Sequence, residues 1–576
     1  ENLIPQLCHG ALTPSAMTIP ASIILCLLAP LRIFCLRNEP VKVSFDWVGY
    51  AKLIFCAMFS LLKLSQLVAF LLLGFDHRVE LLVLCASLIA SLLFIWLCLV
   101  EHKRSIRPST LTAIYLLATV CGNLLVAVPE LLYFRTPNIL LFWRCGEILV
   151  QMVLLVLESQ NKTMSLLSIY KSVSPEDSAG IFSRIFWWWL MDLLAVGKQR
   201  ILRVSDTPRL SSSLRPSQTR KAVLQAWNKR AKSEDSPTLL KVVAGTLMRP
   251  LLSPLVPRFF LTVFRCSQPV IIGRAISFIT NDQGGVTHSC GAYEIFFAAL
   301  IVYFGLAISS SMYKNTLNKL DILIRESLVH LVYDKTLNLS HHGSDAGRVV
   351  TLMSTDIDSA SEMGRLLHAS WGQGVELVIG MILLAREVGW LFPVPLVIIV
   401  FASRVSRFVA QNVRSRTKSW NDATQARIST LSTVLSSMRS VKAMGLSEAI
   451  AKYINELREK EIDRSKHVRW MQVLYNASAN ANGLFTPVIT VVLYAMLAAS
   501  RGERLDTKTA FTTVAILSLV THPANMMMTI FPKFVGIMAN VDRIQSFLLE
   551  PSLVDCRKIM DGNQFTETEN YTGIRL

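Results

Sequence analysis

Hydrophobic residues occur along this chain in long blocks rather than in helical or alternating periods. Eleven blocks in the sequence approach or exceed the length of about 20 residues that a helix needs to cross the hydrocarbon layer of a membrane. The first group comprises Ala16–Leu36, Trp47–Gly74, Leu81–Val100, Leu111–Leu132 and Ile139–Leu157. The second group comprises Leu251–Ile279, Tyr293–Ser311, Leu366–Leu384, Leu391–Val405, Trp470–Ala499 and Thr509–Met538. Lipid offers no partner for backbone amides, so the pattern predicts an all-α membrane protein.

The two groups define the predicted domains. Residues 1–157 form a five-helix N-terminal membrane domain, and residues 251–550 form a six-helix membrane core. Residues 158–250 are polar and basic and connect the two domains as a cytosolic linker. Residues 551–576 form a cytosolic tail after the last block.

The linker contains two local signals. Ser174-Pro-Glu-Asp is typical of a helix start. The serine can cap the helix N-terminus, the proline occupies the first helical position, and the two acidic residues lie in the first turn. Residues 181–194 are apolar and rich in tryptophan but too short to cross, which predicts a helix lying on the inner membrane surface. A buried helix of a small soluble domain is the alternative. Residues 211–232 are Ser-rich and basic, which predicts a mobile segment.

Charge gives the predicted orientation. The chain carries 58 Lys and Arg against 40 Asp and Glu, and its net charge is +18. These basic residues lie mostly in the loops on one side of the blocks, which indicates the positive-inside bias of a membrane protein rather than nucleic-acid binding. The bias places the N-terminus outside and the C-terminus in the cytosol.

Two segments of the second group are too long to be simple turns. Lys314–Arg365 and Arg407–Arg469 are of mixed charge and carry apolar residues at helical spacing. As helical hairpins, each half would extend about 35–40 Å beyond the membrane. Such a reach favours transmission of force to a cytosolic partner, although the two hairpins could also only pack against each other.

No phosphate-binding loop is present in these residues. A Walker loop requires G-x-x-x-x-G-K-[ST], and Gly197-Lys-Gln lacks both the upstream glycine and the hydroxyl residue. The chain by itself is therefore expected to bind no ATP. The absence of a CxxC pair or an HExxH motif predicts no metal site.

Ionisable residues inside spans are candidates for a substrate path. These residues are Arg265, Arg274, Glu376, Lys533 and Glu147, and Asn476, Asn480 and Asn482 add polar groups. A helix–helix hydrogen bond or a position near the interface is the alternative role for each. Arg265 and Arg274 are nine residues apart, so they point to opposite sides of a helix unless Pro269 disrupts it. Arg265 lies deeper and is expected to face the path.

Several motifs occur in the order found in one transporter family. They are Glu101-His-Lys-Arg-Ser-Ile-Arg-Pro-Ser, Leu157-Glu-Ser-Gln, Ser174-Pro-Glu-Asp-Ser-Ala, Phe186-Trp-Trp-Trp, Gln268-Pro-Val-Ile-Ile, residues 347–358 (Gly-Arg-Val-Val-Thr-Leu-Met-Ser-Thr-Asp-Ile-Asp), residues 427–446 and Asn540-Val-Asp-Arg-Ile-Gln-Ser-Phe-Leu. The ordered set resembles the N-terminal membrane half of an ABC transporter of the C subfamily, the multidrug-resistance-associated proteins, particularly the fungal members.

The resemblance implies a type-1 exporter that moves amphipathic organic compounds, often anionic, out of the cytosol. It implies that ATP and magnesium bind nucleotide-binding domains outside this chain, and that a second six-helix half, in the same gene product or a separate chain, completes the transporter. Loop residues that would contact a nucleotide-binding domain are Gly347, Arg348, Asp356, Lys442 and Gly445. Glycines at 347 and 445 are expected to permit sharp turns.

Two other functions fit the same residues. The chain could be a membrane scaffold that binds another membrane protein without transport, or an inactive truncated transporter. The resemblance is compatible with either the plasma membrane or the vacuolar membrane.

Overall fold

The computed structural model describes residues 15–72, 78–133, 139–170, 173–214, 216–230, 238–280, 286–339, 346–500 and 507–551. These residues form helices and turns, and within them the β-type pairing is limited to isolated bridges such as that between Val43 and Leu166. The expected all-α membrane architecture is confirmed.

Five helices cover the first group of apolar blocks. They are α1 (Ser15–Arg37), α2 (Trp47–Leu72), α3 (Arg78–Arg104), α4 (Thr110–Tyr133) and α5 (Ile139–Ser159). Helix α1 packs against α3 and α4, and α2 packs against α3 and α5. Their shared core contains fully buried Leu25, Phe59, Phe94, Leu116 and Leu154.

The linker is built from short helices. They are α6 (Pro175–Ser178), α7 (Ile181–Ile185), α8 (Met191–Gln199), α9 (Pro216–Asn228), α10 (Thr238–Thr246) and α11 (Met248–Leu252). The expected single helix over residues 181–194 is broken, because Trp187 adopts a left-handed backbone with φ 59° between α7 and a 3₁₀ turn at Trp188–Leu190. The expected mobile segment after Ser211 is also wrong in its described part, since Ser211 is buried and α9 is helical.

The second group of blocks corresponds to six long helices with short helices between them. They are α12 (Leu255–Thr280), α13 (Val286–Leu337), α14 (Ala346–Thr351), α15 (Ile357–Ser361), α16 (Met363–Val388), α17 (Val394–Ser436), α18 (Met438–Ala443), α19 (Ser447–Ser500) and α20 (Thr507–Leu549). Helices α13, α17 and α19 continue far past their apolar parts, as expected for long extensions. Helix α17 packs along α19.

Among the described residues, eight helical segments are long and apolar enough to cross a membrane. They are Thr18–Arg37, Trp47–Leu72, Leu81–Arg104, Met248–Thr280, Ile295–Leu337, Val394–Ser436, Gly483–Ser500 and Lys508–Leu549. The chain is therefore an integral, multi-pass membrane protein. The crossings expected for α4, α5 and α16 stay predictions.

The chain divides into two compact units. The first consists of Glu1–Arg215, Ser253–Asn318 and Leu367–Phe531, and the second of Pro216–Leu252, Lys319–Leu366 and Pro532–Leu576. In the second unit the linker helices are held to the end of α20, where the Leu239 amide donates to Gln545 Oε1 at 3.1 Å. Buried Leu239, Leu320, Ile357 and Phe547 belong to this unit.

Candidate functional site

Two arginines of α12 meet one glutamate of α16 inside the first unit. Arg258 Nη2 lies 3.0 Å from Glu376 Oε1, and Arg265 Nη1 lies 3.1 Å from Glu376 Oε2. The side chains of Arg258 and Glu376 are 2% and 0% exposed, whereas that of Arg265 is 30% exposed. The cluster therefore carries two positive charges against one negative charge, and its accessible part is cationic.

A glycine makes room for the buried arginine. A Cβ on Gly372 would lie 1.9 Å from Arg258 Nε, so the guanidinium occupies the space that any larger residue would fill. The guanidinium also lies over the Tyr313 ring, 5.4 Å from its centroid. Thr262 Oγ1 also donates a hydrogen bond to Glu376 Oε1, at 3.3 Å. The ion pairs with Glu376, the hydrogen bond from Thr262 and the cation–π contact with Tyr313 offset part of the cost of burying these charges.

The two arginines considered from the sequence have different surroundings. Arg265 reaches Glu376, whereas Arg274 is exposed and makes no ion pair with the described part of the chain. Helix α12 is continuous through Pro269, so it does not unwind to bring them together.

Sequence reasoning missed Arg258. It lies seven residues before Arg265, about two turns away and on the same side of the helix. That spacing was the available signal, but Arg258 was not among the ionisable residues singled out from the sequence.

The other expected path residues do not join this cluster. Asn476 and Asn480 are exposed on α19, and Lys533 is exposed on α20 in the second unit. The side chain of Asn482 lies outside the described residues.

The loop that contains Arg348 and Asp356 is fastened to the end of α20 in the second unit. Asp356 is 1% exposed and binds the Arg543 guanidinium. Arg348 Nη1 lies 2.7 Å from Glu550 Oε1, and its guanidinium lies over the Phe547 ring. Asp356 therefore stabilises the loop through a buried contact and is not exposed on the loop surface. Arg348 is about half exposed and stays accessible.

The two loop glycines behave differently. Gly347 lies inside α14, so the turn expected there is wrong. Gly445 has a φ of 67°, and it ends α18 in a Schellman motif: its amide donates to the Lys442 carbonyl, and the Leu446 amide donates to the Val441 carbonyl.

The turn at Gly445 creates an exposed tip between α17 and α19. We call Lys442–Leu446 the α18 tip. Lys442 is exposed, and Met444 and Leu446 are 63% and 43% exposed. The α18 tip therefore presents a cation beside two exposed apolar side chains.

Glu147 lies in a buried polar network of the five-helix domain. Lys63 Nζ lies 2.6 Å from its carboxylate, and Gln66, Asn123 and Gln151 each donate to it at 2.9 Å. The carboxylate is fully engaged by α2, α4 and α5, so Glu147 ties these helices together, which is the alternative role considered from the sequence.

The linker is anchored by Asp177. Its carboxylate accepts from the Ser212 amide at 2.7 Å and the Ser211 hydroxyl at 2.8 Å, and it binds Arg107 of the five-helix domain. Burial raises the pKa of Asp177, but these hydrogen bonds and Arg107 outweigh it and lower the pKa below its ordinary value. A second anchor is the Trp187 indole, which donates to Ser311 Oγ of α13 at 3.2 Å.

Comparison with known proteins agrees with this architecture. Residues 255–523 match the family described as the ABC transporter transmembrane region. The chain is 30% identical over 579 residues to an ABC-type transporter of Gibberella zeae, covering 97% of this chain and 38% of the relative. It is 29% identical over 548 residues to ABC multidrug transporter B of Aspergillus fumigatus, covering 94% of this chain and 37% of that protein.

A third relative is ABC multidrug transporter lscH of Purpureocillium lilacinum, 27% identical over 575 residues, with 97% of this chain and 36% of the relative covered. The chain thus spans little more than a third of the length of these relatives. Its residues 255–523 match the ABC transporter transmembrane region, and the chain as a whole is similar to fungal ABC transporters.

Proposed function

We propose that this chain is the membrane-spanning part of an ABC exporter that moves amphipathic organic compounds out of the cytosol. The observation that carries the proposal is the cluster of Arg258, Arg265 and Glu376 inside the region that matches ABC membrane domains. Two of the relatives are named multidrug transporters, which supports drugs as substrates. Toxins, secondary metabolites and conjugates are proposed as further substrates of the same amphipathic class. The C-subfamily resemblance of the loop motifs supports the same assignment.

Arg265 is the residue proposed to meet the substrate. Glu376 neutralises one of the two guanidinium charges, and Arg258 is fully buried, so the remaining positive charge is available at Arg265. A substrate with an anionic group beside an apolar body would pair with it. The cluster does not include Arg274, Asn476, Asn480 or Lys533, so the proposed substrate contact does not depend on them.

ATP hydrolysis is proposed to come from nucleotide-binding domains outside these residues, with ATP and magnesium bound there. The α18 tip, with Lys442 and the Gly445 turn, is proposed to contact one such domain. Gly347 and Arg348, in the loop that contains Asp356, are proposed to contribute a second contact. Asp356 would act by holding that loop through Arg543. A second six-helix half completes the proposed exporter, in the plasma or vacuolar membrane.

The test is transport by the complete assembly. The chain is combined with nucleotide-binding domains and a second membrane half, and ATP-dependent uptake of carboxyfluorescein is measured in inside-out vesicles. Arg265→Gln is expected to lower uptake of this anion while a neutral amphipathic dye is still moved, and Arg274→Gln is expected to leave both unchanged. No ATP-dependent uptake of either dye by the unaltered assembly would favour a scaffold or an inactive transporter. Equal loss from both variants would reject Arg265 as the substrate contact.

A further inference from the structure

A cavity of about 460 Å³ lies at the end of the five-helix domain, where α1 and α3 finish. Its lining includes four cations, Arg32, Lys42, Arg104 and Arg107, and two carboxylates, those of Glu39 and Asp177. The linker forms part of the wall through Ser174 and Ser212. The cavity is thus basic, and both the membrane domain and the linker contribute to its lining.

The three arginines keep hydrogen-bond donors for a ligand. A guanidinium carries five N–H donors. Arg32 uses Nε on Glu101 at 2.8 Å, and Arg104 uses Nη1 on the carbonyls that end α1. Arg107 uses Nε and Nη2 on Asp177. Within the described residues, the remaining N–H groups of each guanidinium make no hydrogen bond to protein.

The lining carboxylates are already occupied. Asp177 accepts from Ser211, Ser212 and Arg107, and Glu39 accepts from Lys42 Nζ at 2.8 Å. Because four cations line the cavity against two carboxylates that already have partners, the lining favours an anion. Several arginines that line one cavity can donate hydrogen bonds to the multiple oxygens of a phosphate group.

The neighbouring surface of α1 favours a lipid as the source of that anion. Leu28 and Leu31 lie four residues before Arg32 and Cys35, two residues of the lining, so each shares a helix face with one of them. Both leucines are well exposed, at 44% and 64%. They lie within the candidate span Thr18–Arg37, so acyl chains can lie against them while the headgroup enters the cavity.

We propose that this cavity binds the phosphorylated headgroup of an anionic membrane lipid. Binding would involve Arg32, Lys42 and Arg104 of the membrane domain together with Arg107, which already holds the linker at Asp177. The lipid would therefore fix the linker against the five-helix domain. This proposal is independent of any transport activity.

The test uses the full chain in phosphatidylcholine nanodiscs, with and without phosphatidylinositol bisphosphate, and measures retention of the phosphorylated lipid by native mass spectrometry. Lys42→Gln is expected to weaken binding about fivefold, the effect of removing one cation near an anionic headgroup. Glu39→Gln frees the Lys42 ammonium and is expected to strengthen binding. Neither change leaves a fully buried charge, because the Glu39 and Lys42 side chains are 47% and 20% exposed.

Arg37→Gln is the matched control. Arg37 is exposed at the same end of α1, but its side chain does not line the cavity, so binding should change by less than about twofold. Equal weakening by Arg37→Gln and Lys42→Gln would show general surface charge and overturn the site. Equal affinity for soluble inositol phosphate would overturn the lipid assignment, and absence of saturable binding would overturn both.

Discussion

Arg258 and Glu376 form an ion pair in which neither side chain is more than 2% exposed, and the two residues are 118 positions apart in the chain. The pair joins α12 to α16. Its burial makes each partner dependent on the other, because an isolated buried charge is costly.

Glu376→Gln is expected to destabilise the protein by about 3–5 kcal/mol, since it leaves Arg258 buried without a counter-charge. Denaturant unfolding in detergent measures this. Glu387→Gln on the same helix is the control, because Glu387 makes no ion pair with the described residues and should change stability by less than about 0.5 kcal/mol. Similar losses in both variants would contradict a special role for the pair.

Gly372→Ala is expected to displace the Arg258 guanidinium, because the new Cβ would lie 1.9 Å from Arg258 Nε. Overpacking of this kind costs about 1–3 kcal/mol. Gly374→Ala, on the same helix, meets no atom within 4 Å and should be neutral or stabilising. Unfolding measurements on the two variants decide this, and a stable Gly372→Ala protein would show that the arginine has room to move.

Asp356→Asn is expected to cost about 1–3 kcal/mol, because the buried carboxylate loses its charge toward Arg543. Asp358→Asn is the neighbouring comparison. Its side chain is 53% exposed and pairs with a similarly exposed Arg325, so the expected loss is less than about 1 kcal/mol. Thermal unfolding with a probe on α20 distinguishes them. Greater damage from Asp358→Asn would place the anchor of the loop elsewhere.

Gly445→Ala is expected to loosen the α18 tip, because a left-handed backbone costs a residue with a Cβ about 1–2 kcal/mol. The Leu446 amide, which bonds the Val441 carbonyl, should then exchange faster with solvent. Gly536→Ala lies in a helix with no atom within 4 Å and should leave that exchange unchanged. Unaltered protection of Leu446 in Gly445→Ala would show that the turn tolerates the strain.

Acid is expected to release the linker from Asp177. The folded pKa is lower than the ordinary value of about 3.9, so the stabilisation is complete above that value and is lost as pH falls through the folded pKa. Hydrogen exchange of the Ser212 amide, corrected for its intrinsic pH dependence, reports the loss. Asp177→Asn should show fast exchange already at neutral pH, whereas Asp192→Asn, at an exposed linker position, should behave like the unaltered protein. Protection that persists in Asp177→Asn would rule out this anchor.

The sequence alone determined that the protein is helical and embedded in a membrane, because long apolar blocks and lipid leave the backbone no other way to satisfy its hydrogen bonds. It also indicated the long extensions of α13, α17 and α19, since an uninterrupted helical pattern depends only on neighbouring residues. The turn at Gly445 could also be predicted from the sequence, because a positive φ depends on the residue itself.

Only the tertiary structure decided which polar residues are partners. Arg258 meets Glu376 and Asp356 meets Arg543 across more than a hundred positions, and sequence spacing along one helix carries no information on such contacts. The break at Trp187 and the burial of Ser211 were hidden for a related reason. Composition favoured a continuous helix and a mobile segment, whereas in the folded chain the Trp187 indole donates to Ser311 and the Ser211 hydroxyl donates to Asp177. The spacing of apolar residues predicts where each helix forms, because helix formation depends on neighbouring residues. Long-range packing determines which charged side chains can be buried, because their partners lie on other helices.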